Sequence, residues 1–255
     1  MELEFDTRVC GFGVGELSPF CHPGPFADLQ EIVLGAEVVR AALEEAIRRG
    51  MRLVVARVGA GDIAGARALE RAGFELADIS VVWRLELGRQ LPAASLPPGL
   101  DLRPWQPEDM QACQELVAQS MCDPSAFPTR LCTDPLLAPM CRQIHYQWVA
   151  NCFSGERAHW GVVLTAGRKV VGCCLVRKLD EYRGRVEINA LARDYRGKGL
   201  YKAMLIPTLE WLAAQGITYV IIKTKLSQRA VVRTWSGLGA VQEDEEIAMH
   251  WWREK

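Results

Sequence analysis

Two runs of β-branched and aliphatic residues have matching surroundings in the chain. The runs at 53–58 (Leu-Val-Val-Ala-Arg-Val) and 219–224 (Tyr-Val-Ile-Ile-Lys-Thr) each follow an apolar helical pattern that ends at a glycine. Each is followed by a short helical pattern that also ends at a glycine, and then by a second β-rich stretch. Runs of this composition indicate largely buried strands. Because strand, helix and strand follow one another, the pattern predicts an α/β fold.

The two regions are related by a constant offset of 166 residues. Adding 166 to residues 50–80 gives 216–246 without a gap, and six of the 31 aligned pairs are identical. The repeat predicts one motif that occurs twice, with a chance similarity of two strand–helix–strand units as the alternative. Its elements are predicted at 38–49, 52–58, 63–72 and 79–87, and again at 201–215, 218–224, 229–237 and 246–252.

A proline-rich stretch separates the two copies. Residues 90–99 hold three prolines and a glycine between two patterned regions, which is typical of a linker. We therefore predict a partial domain at 1–88, a linker at 89–99 and a larger domain at 100–255. Before its copy of the repeat, the larger domain is predicted to hold a strand at 100–105, helices at 106–119 and 136–151 around a loop at 123–135, a hairpin at 161–164 and 170–177, and a strand at 186–192.

Composition and charge exclude several classes of protein. The 255 residues are 49% hydrophobic and 24% charged, which is ordinary for a globular protein. A formal net charge of −1 provides no overall attraction to nucleic acid or to an anionic membrane. The chain begins without a signal-peptide pattern, and no apolar run reaches the roughly 18 residues of a membrane-spanning helix. We therefore expect a cytoplasmic protein with neither kind of partner.

The cysteines give no sign of a metal site or a disulfide framework. They number nine, an odd count, and no two have the Cys-x-x-Cys spacing. We expect reduced thiols, most of them small core residues, and no metal. The adjacent Cys173 and Cys174 would point to opposite faces of a strand.

The segment with the clearest chemistry is a glycine-containing turn between a strand and a helix. Arg196-Gly-Lys-Gly199 follows the strand predicted at 186–192 and opens the next amphipathic helix. Such a turn presents backbone N–H groups at the positive end of a helix, and its glycines allow a diphosphate to approach closely. Neither a Walker loop nor a dinucleotide-binding GxGxxG pattern is present. A tight connection without a ligand is the alternative.

With its surroundings, this turn resembles the GNAT superfamily of acyl-CoA-dependent N-acetyltransferases. The signature Arg/Gln-x-x-Gly-x-Gly/Ala is matched by Arg196-Gly-Lys-Gly-Leu-Tyr201, except that Tyr201 stands at the last position, and the opening at 102–109 is also typical. The resemblance covers 100–255. It implies a GNAT fold with a mixed central sheet flanked by helices, and acetyl-CoA or another acyl-CoA as cofactor. The residues that it assigns to the cofactor are Leu191, Ala192, Arg196, Gly197, Lys198, Gly199, Leu200, Tyr201 and Gln228.

The resemblance also indicates which residues carry the chemistry. A second family motif places Gln228 at its asparagine position and Trp235 at the position of a tyrosine that often protonates the leaving thiolate. An indole N–H is not a usable acid at neutral pH, so Trp235 is expected to line the substrate pocket, and Tyr201 or Tyr195 is left to replace the acid. Further pocket residues are predicted at Asn189 and Tyr146.

The general base is predicted on the strand that precedes the turn. Glu187 is the leading candidate, on a strand face shared with Asn189 and Leu191 by period-2 alternation. An ordinary solvated or paired strand carboxylate is the alternative reading of Glu187. Asp180 and Glu181 are further candidates, which we place on a loop because Arg183 and Gly184 follow them.

The first copy lacks the glycine turn, since Gln30-Glu-Ile-Val33 stands where Arg196–Gly199 stands in the second. A degenerate half-domain before a complete one resembles the dTDP-fucosamine acetyltransferases, as do the segments 5–14 and 146–155. This implies acyl transfer to a primary amine of a small molecule such as an amino sugar or sugar nucleotide. Transfer of another acyl group, transfer to a protein amine, and a CoA-binding scaffold without turnover remain alternatives, and a homodimer is left open. We expect the half-domain to complete a sheet with the larger domain or with a second copy of the chain.

Overall fold

The computed structural model describes residues 13–17, 35–88, 90–124 and 129–253. The chain forms two compact units, one of residues 1–81 with 244–255 and the other of residues 82–243. The segments 5–12 and 30–33, which entered the comparison with known families, lie outside the described residues. The division predicted at 89–99 remains a prediction, and in the structure the last twelve residues of the chain belong to the first unit.

The first unit contains the first copy of the repeat up to residue 81. In it, β1 is parallel to β2, and β2 pairs antiparallel with β9 from Leu53 opposite Trp252 to Gly59 opposite Glu246. Apolar residues of both helices pack on these strands and form a buried core. The elements of this unit are β1 (Gly13–Leu17), α1 (Ala36–Arg48), β2 (Met51–Gly59), α2 (Ile63–Arg71), and the parts of β3 (Glu75–Glu86) up to residue 81 and of β9 (Val241–Trp252) from residue 244.

The second unit has the strand order β8-β7-β6-β5-β4. The pairs from β4 to β7 are antiparallel, whereas β7 and β8 are parallel, so the sheet is mixed as predicted. Its elements are β4 (Leu100–Pro104), α3 (Met110–Met121), α4 (Arg130–Thr133), α5 (Cys141–Phe153), β5 (Trp160–Ala166), β6 (Lys169–Lys178), β7 (Arg183–Leu191), α6 (Leu200–Ala214), β8 (Tyr219–Lys225) and α7 (Arg229–Gly237).

Helices cover both faces of this second sheet. One face packs on α3 and α5 through a core that includes Cys173. On the other face, the Cys174 thiol lies 3.7 Å from the Thr208 hydroxyl of α6. The two adjacent cysteines therefore point to opposite faces, as predicted. No helix among the described residues is long and apolar enough to cross a membrane.

The predicted element order is confirmed, with two differences in detail. The loop predicted at 123–135 contains the short helix α4. The strand predicted to start at residue 186 begins at Arg183, and Gly184 pairs with both Lys178 and Val220. A Cβ on Gly184 would lie 3.0 Å from the Leu212 side chain, so the glycine allows α6 to pack closely on the strand and does not mark a turn.

Candidate active site

The turn before α6 has the conformation that its glycines predict. Gly197 and Gly199 both have a φ of 75°, in the left-handed region where residues with a Cβ are strained. Gly199 is the N-cap of α6 and is followed directly by a helix of 15 residues. No acidic residue lies in the first turn of that helix, so its positive end is not neutralised from within.

The turn leaves a row of backbone donors available. Among the described residues, the N–H groups from Gly197 to Lys202 have no backbone acceptor, whereas Ala203 already donates to Gly199 O. Arg196 Nε donates to Leu191 O at 2.9 Å, and Lys198 Nζ donates to Asp194 O at 2.8 Å. Arg196 thus fastens the turn to the end of β7, Lys198 fastens it to Asp194 beyond the strand, and both add positive charge beside the free donors. This combination favours a phosphate group.

Two of the residues assigned to the cofactor, Ala192 and Gln228, are not part of the row of free backbone donors. The N–H of Ala192 donates to Val171 O at 2.8 Å, so it is not available to a ligand. Gln228 is the N-cap of α7, with no side-chain capping bond and a half-buried side chain. Among the described residues, no hydrogen bond joins it to the glycine turn.

Next to the turn, β7 and β8 separate. Their parallel ladder consists of Arg183 with Tyr219, Gly184 with Val220, and Arg185 with Ile221, although β7 continues to Leu191 and β8 to Lys225. Backbone groups on the facing edges beyond these pairs can accept an extended ligand with amide groups.

A β-bulge at Glu187 accompanies this separation. Leu175 of β6 pairs with Ile188 and Val176 pairs with Val186, so Glu187 is the extra residue. A bulge bends its strand and increases the local twist, which accounts for the departure of β7 from β8 immediately afterwards.

The bulge also changes which residues share a face, so the predicted common face of Glu187, Asn189 and Leu191 is wrong. The Glu187 side chain meets Trp148 of α5. Asn189 instead pairs with Cys174, which faces α6, and Leu191 lies on the same side, near Gly172 and Met204. Period-2 alternation fails here because the bulge inserts one residue into the count.

Glu187 lies in a cationic environment. Its side chain is 1% exposed, and its carboxylate accepts a hydrogen bond from Trp148 Nε1 at 3.3 Å. Arg177 Nε lies 3.2 Å from Oε2 without hydrogen-bond geometry, so Oε2 is a buried acceptor without a hydrogen bond among the described groups. The guanidinium groups of Arg157 and Arg185 lie 3.6 and 3.7 Å from the carboxylate. Trp148, Arg157 and Arg177 were not predicted, because they reach Glu187 from three other segments, whereas Arg185 lies on β7 itself.

On the opposite face, Tyr201 and Trp235 form a hydrogen bond. Trp235 is fully buried, and its Nε1 lies 2.9 Å from the Tyr201 hydroxyl oxygen. An indole only donates, so the phenol oxygen accepts and the phenol proton remains free to point elsewhere. Burial, with a smaller contribution from the nearby Cys174, raises the pKa of Tyr201 well above its ordinary value. The phenol is therefore a neutral hydrogen-bond donor at neutral pH.

Tyr146 lies elsewhere in the second unit. Its hydroxyl donates to Glu115 of α3 and accepts from Arg142 at 2.8 Å. These contacts place it between α3 and α5 and do not connect it with Tyr201 or Trp235. The thiols near the sheet are poor nucleophiles, because burial raises the pKa of Cys152 and of Cys174 to about 12.

Fold and turn together define an acyl-CoA-dependent acyltransferase, and the comparison of sequences gives the family. Residues 100–241 match the sequence profile of the acetyltransferase (GNAT) domain, which is more than half of the chain. The protein belongs to this family and is a transferase.

One relative and two solved structures illustrate how similar this chain is to known proteins. A mycothiol acetyltransferase from Thermobispora bispora is 27% identical over 217 residues, which are 81% of this chain and 67% of the relative. A GCN5-related N-acetyltransferase from Sphaerobacter thermophilus has a TM-score of 0.66 at 16% identity, over 98% of this chain and 75% of that one. A tandem GNAT protein from the clavulanic acid biosynthesis pathway has a TM-score of 0.59 at 17% identity, over 85% of this chain and 69% of that one. The two structures show that the fold is shared.

Acetyl-CoA, the cofactor of this family, fits the site. The free N–H groups and the cations of the turn suit its diphosphate. The open edges of β7 and β8 suit the amide groups of its pantetheine arm. The residues available to hold it are Arg196 to Tyr201, with Leu191 at the end of β7.

Proposed function

We propose that the protein transfers an acetyl group from acetyl-CoA to a primary amine of a small molecule, with both substrates bound at the same time. The observation that carries this proposal is the row of unpaired N–H groups at the start of α6, beside the point where β7 and β8 separate. Acetyl-CoA supplies an activated acyl group and a thiolate as leaving group. The chain has to orient the amine, remove its proton and stabilise the departing sulfur.

Tyr201 is the residue that we assign to the departing sulfur. It stands two residues after Gly199, and its oxygen is held by Trp235 so that its proton can be donated to a ligand. The tyrosine that this family often uses on α7 is thus replaced by a pair, in which α6 supplies the hydroxyl and α7 supplies the residue that positions it. This arrangement favours an active enzyme over a CoA-binding scaffold.

Glu187 is the residue that we assign to the amine. Its Oε2 is a buried acceptor without a hydrogen bond, which suits an ammonium group that has to be bound and deprotonated. The nearby guanidinium groups keep the carboxylate in place and compete with the ammonium for it. Asn189 and Trp235 are proposed to shape the pocket on the opposite face of β7.

An amino sugar or a sugar nucleotide is the acceptor class that we propose. Support comes from the sequence segments that resemble dTDP-fucosamine acetyltransferases. Other small primary amines are the control substrates, since acceptor pockets differ more than cofactor sites within one fold.

Two measurements on the full-length protein test the proposal. Calorimetry should show acetyl-CoA binding, and a thiol-release assay with a panel of amino sugars, sugar nucleotides, amino acids and peptides should show turnover with at least one small amine. Binding without thiol release for any amine would contradict enzymatic transfer, and release with peptides alone would contradict a small-molecule acceptor. Longer acyl-CoA donors in the same assay determine the acyl group.

A further inference from the structure

Two thiols and an imidazole meet where α3 ends and α5 begins. Cys122 directly follows α3, and Cys141 and His145 lie in the first turns of α5 at the i,i+4 spacing that places both side chains on one helix face. Cys141 Sγ lies 3.2 Å from Cys122 Sγ, and His145 Nδ1 lies 3.6 Å from each sulfur. The three potential ligand atoms therefore form a compact triangle, in a part of the unit that the acyl-transfer proposal does not use.

The dimensions of this triangle suit a thiophilic metal ion. Tetrahedral zinc with bonds of about 2.3 Å to sulfur and about 2.0 Å to nitrogen places sulfur and nitrogen about 3.5 Å apart, and two sulfurs about 3.8 Å apart. The observed sulfur–nitrogen distances agree with these values, and the two sulfurs would have to move apart from 3.2 Å to about 3.8 Å. We propose that Cys122, Cys141 and His145 bind Zn²⁺. Cys122 is half-buried, whereas the other two ligands are buried.

The proton on His145 Nδ1 has to move to Nε2 for this site to bind zinc. This Nδ1 lies 2.8 Å from Cys141 O, and in the metal-free protein it donates to that carbonyl. In the zinc-bound form this proton lies on Nε2, and zinc displaces the protons of the two thiols, so the affinity should increase with pH.

Bound zinc would fasten α5 to the end of α3. The same helix carries Trp148, whose ring centroid lies 6.2 Å from that of His145 and whose indole donates to Glu187. The metal site thus has a structural role and stabilises the helix that contacts the acceptor side of the sheet. Sequence spacing does not indicate it, because Cys122 and Cys141 come together only through the packing of α3 and α5.

Zinc titration of the full-length, reduced, chelator-treated protein tests the proposal. We expect one equivalent of Zn²⁺ to bind and to raise the unfolding temperature. Cys122→Ser, Cys141→Ser and His145→Gln should each weaken binding by about 100-fold. Cys152→Ser, a buried thiol further along α5, is the matched control and should bind zinc as the unmodified protein does.

Co²⁺ in place of Zn²⁺ gives a second readout that does not depend on stability. Thiolate-to-cobalt absorption should appear in the unmodified protein and weaken in Cys122→Ser, the half-buried position that is most tolerant of substitution. Failure of the reduced protein to bind zinc would overturn the proposal, and so would equal affinity in Cys122→Ser and Cys152→Ser. Acyl transfer is not part of the measurement, so its failure leaves this test unaffected.

Discussion

The two copies of the repeat have the same skeleton and different helix starts. The bounds of α2 and α7 differ by 166 residues, and so do those of β3 and β9. Gly50 and Gly216 both have positive φ. However, α6 begins after left-handed Gly199, whereas α1 begins after Gly35 at a φ of −78°. The first turn of α1 also contains Glu37, and that of α6 contains no acid.

This difference separates what the fold requires from what anion binding requires. Buried strands and glycine helix ends build the skeleton in both copies, but free N–H groups on a left-handed turn occur in the second. The Tyr201–Trp235 bond likewise has no counterpart, since an offset of 166 leads to Gly35 and to the buried Leu69. We infer that the first copy is structural and that the second carries the chemistry.

Removing the first copy should have the largest effect. Residues 246–252 of β9 pair with 53–59 of β2 in the first unit, so a 100–255 fragment loses this strand partner and exposes Met249. We expect the fragment to aggregate, as measured by size-exclusion chromatography. Full-length protein cleaved within 90–99 is the control and should stay associated. A monomeric, fully active fragment would refute this interpretation.

Blocking the glycine turn should abolish cofactor binding without unfolding the protein. A Cβ at Gly199 meets open space, but its φ of 75° strains any branched residue, so the turn has to rearrange. Gly199→Val should weaken acetyl-CoA binding at least about 100-fold in calorimetry. Gly50→Val carries the same kind of strain in the first copy, at a φ of 72° in open space, and should leave the affinity unchanged. Equal affinities in both variants would show that the cofactor assignment is wrong.

Substitutions of Tyr201 and of Trp235 should differ in how strongly they lower kcat. Tyr201→Phe removes the proposed donor and should lower kcat about 100-fold. Trp235→Phe removes only the bond that positions the phenol, so kcat should fall about fivefold. Trp235→Ala should mainly raise the Michaelis constants, because it removes the indole that is proposed to line the substrate pocket. If Trp235→Phe lowered kcat as much as Tyr201→Phe does, the indole N–H would have a direct role.

Replacing Glu187 tests the acceptor side of the same strand. Glu187→Gln should lower kcat about tenfold or more, because the proposed base is lost, and should leave the affinity for acetyl-CoA unchanged. The variant also leaves nearby guanidinium groups without their carboxylate, so unfolding should be measured in parallel. Asp180→Asn, on the loop before β7, is the control. Unchanged turnover in Glu187→Gln would show that Glu187 is not the base and that it only forms ion pairs.

The smallest expected effect concerns alkaline pH. Every cysteine of the described residues lies in the second unit. Burial raises the pKa of Cys152 and Cys174 from 9.0 to about 12, so their thiols stabilise the fold below pH 9 and lose this contribution as the unfolded chain ionises above it. Ionisation of each of these two thiols in the unfolded chain should lower the free energy of unfolding by about 1 kcal/mol between pH 7.5 and pH 9.5. Urea unfolding should show a smaller pH-dependent loss in Cys152→Ala, and an identical loss would contradict this origin.

Local patterns predicted most of the secondary structure. The helix α7 has the bounds that the sequence indicates, and α1, β2 and β8 differ from prediction by one or two residues. Strand starts were less accurate, since β3 and β9 begin four or five residues before their predicted starts. Their first residues are largely exposed and mix polar side chains with Leu76 and Val241, so hydrophobicity does not identify them.

The sequence by itself determined the α/β order, the 166-residue repeat and the turn at Gly197 and Gly199. Each depends on neighbouring residues, through hydrophobic periodicity or through the φ values open to glycine. Only the tertiary structure decided that Glu187 and Asn189 lie on opposite faces, because the bulge is defined by the register with β6. The bond from Trp235 to Tyr201 and the meeting of Cys122 with Cys141 were likewise decided by packing, because they join residues that are distant in the chain.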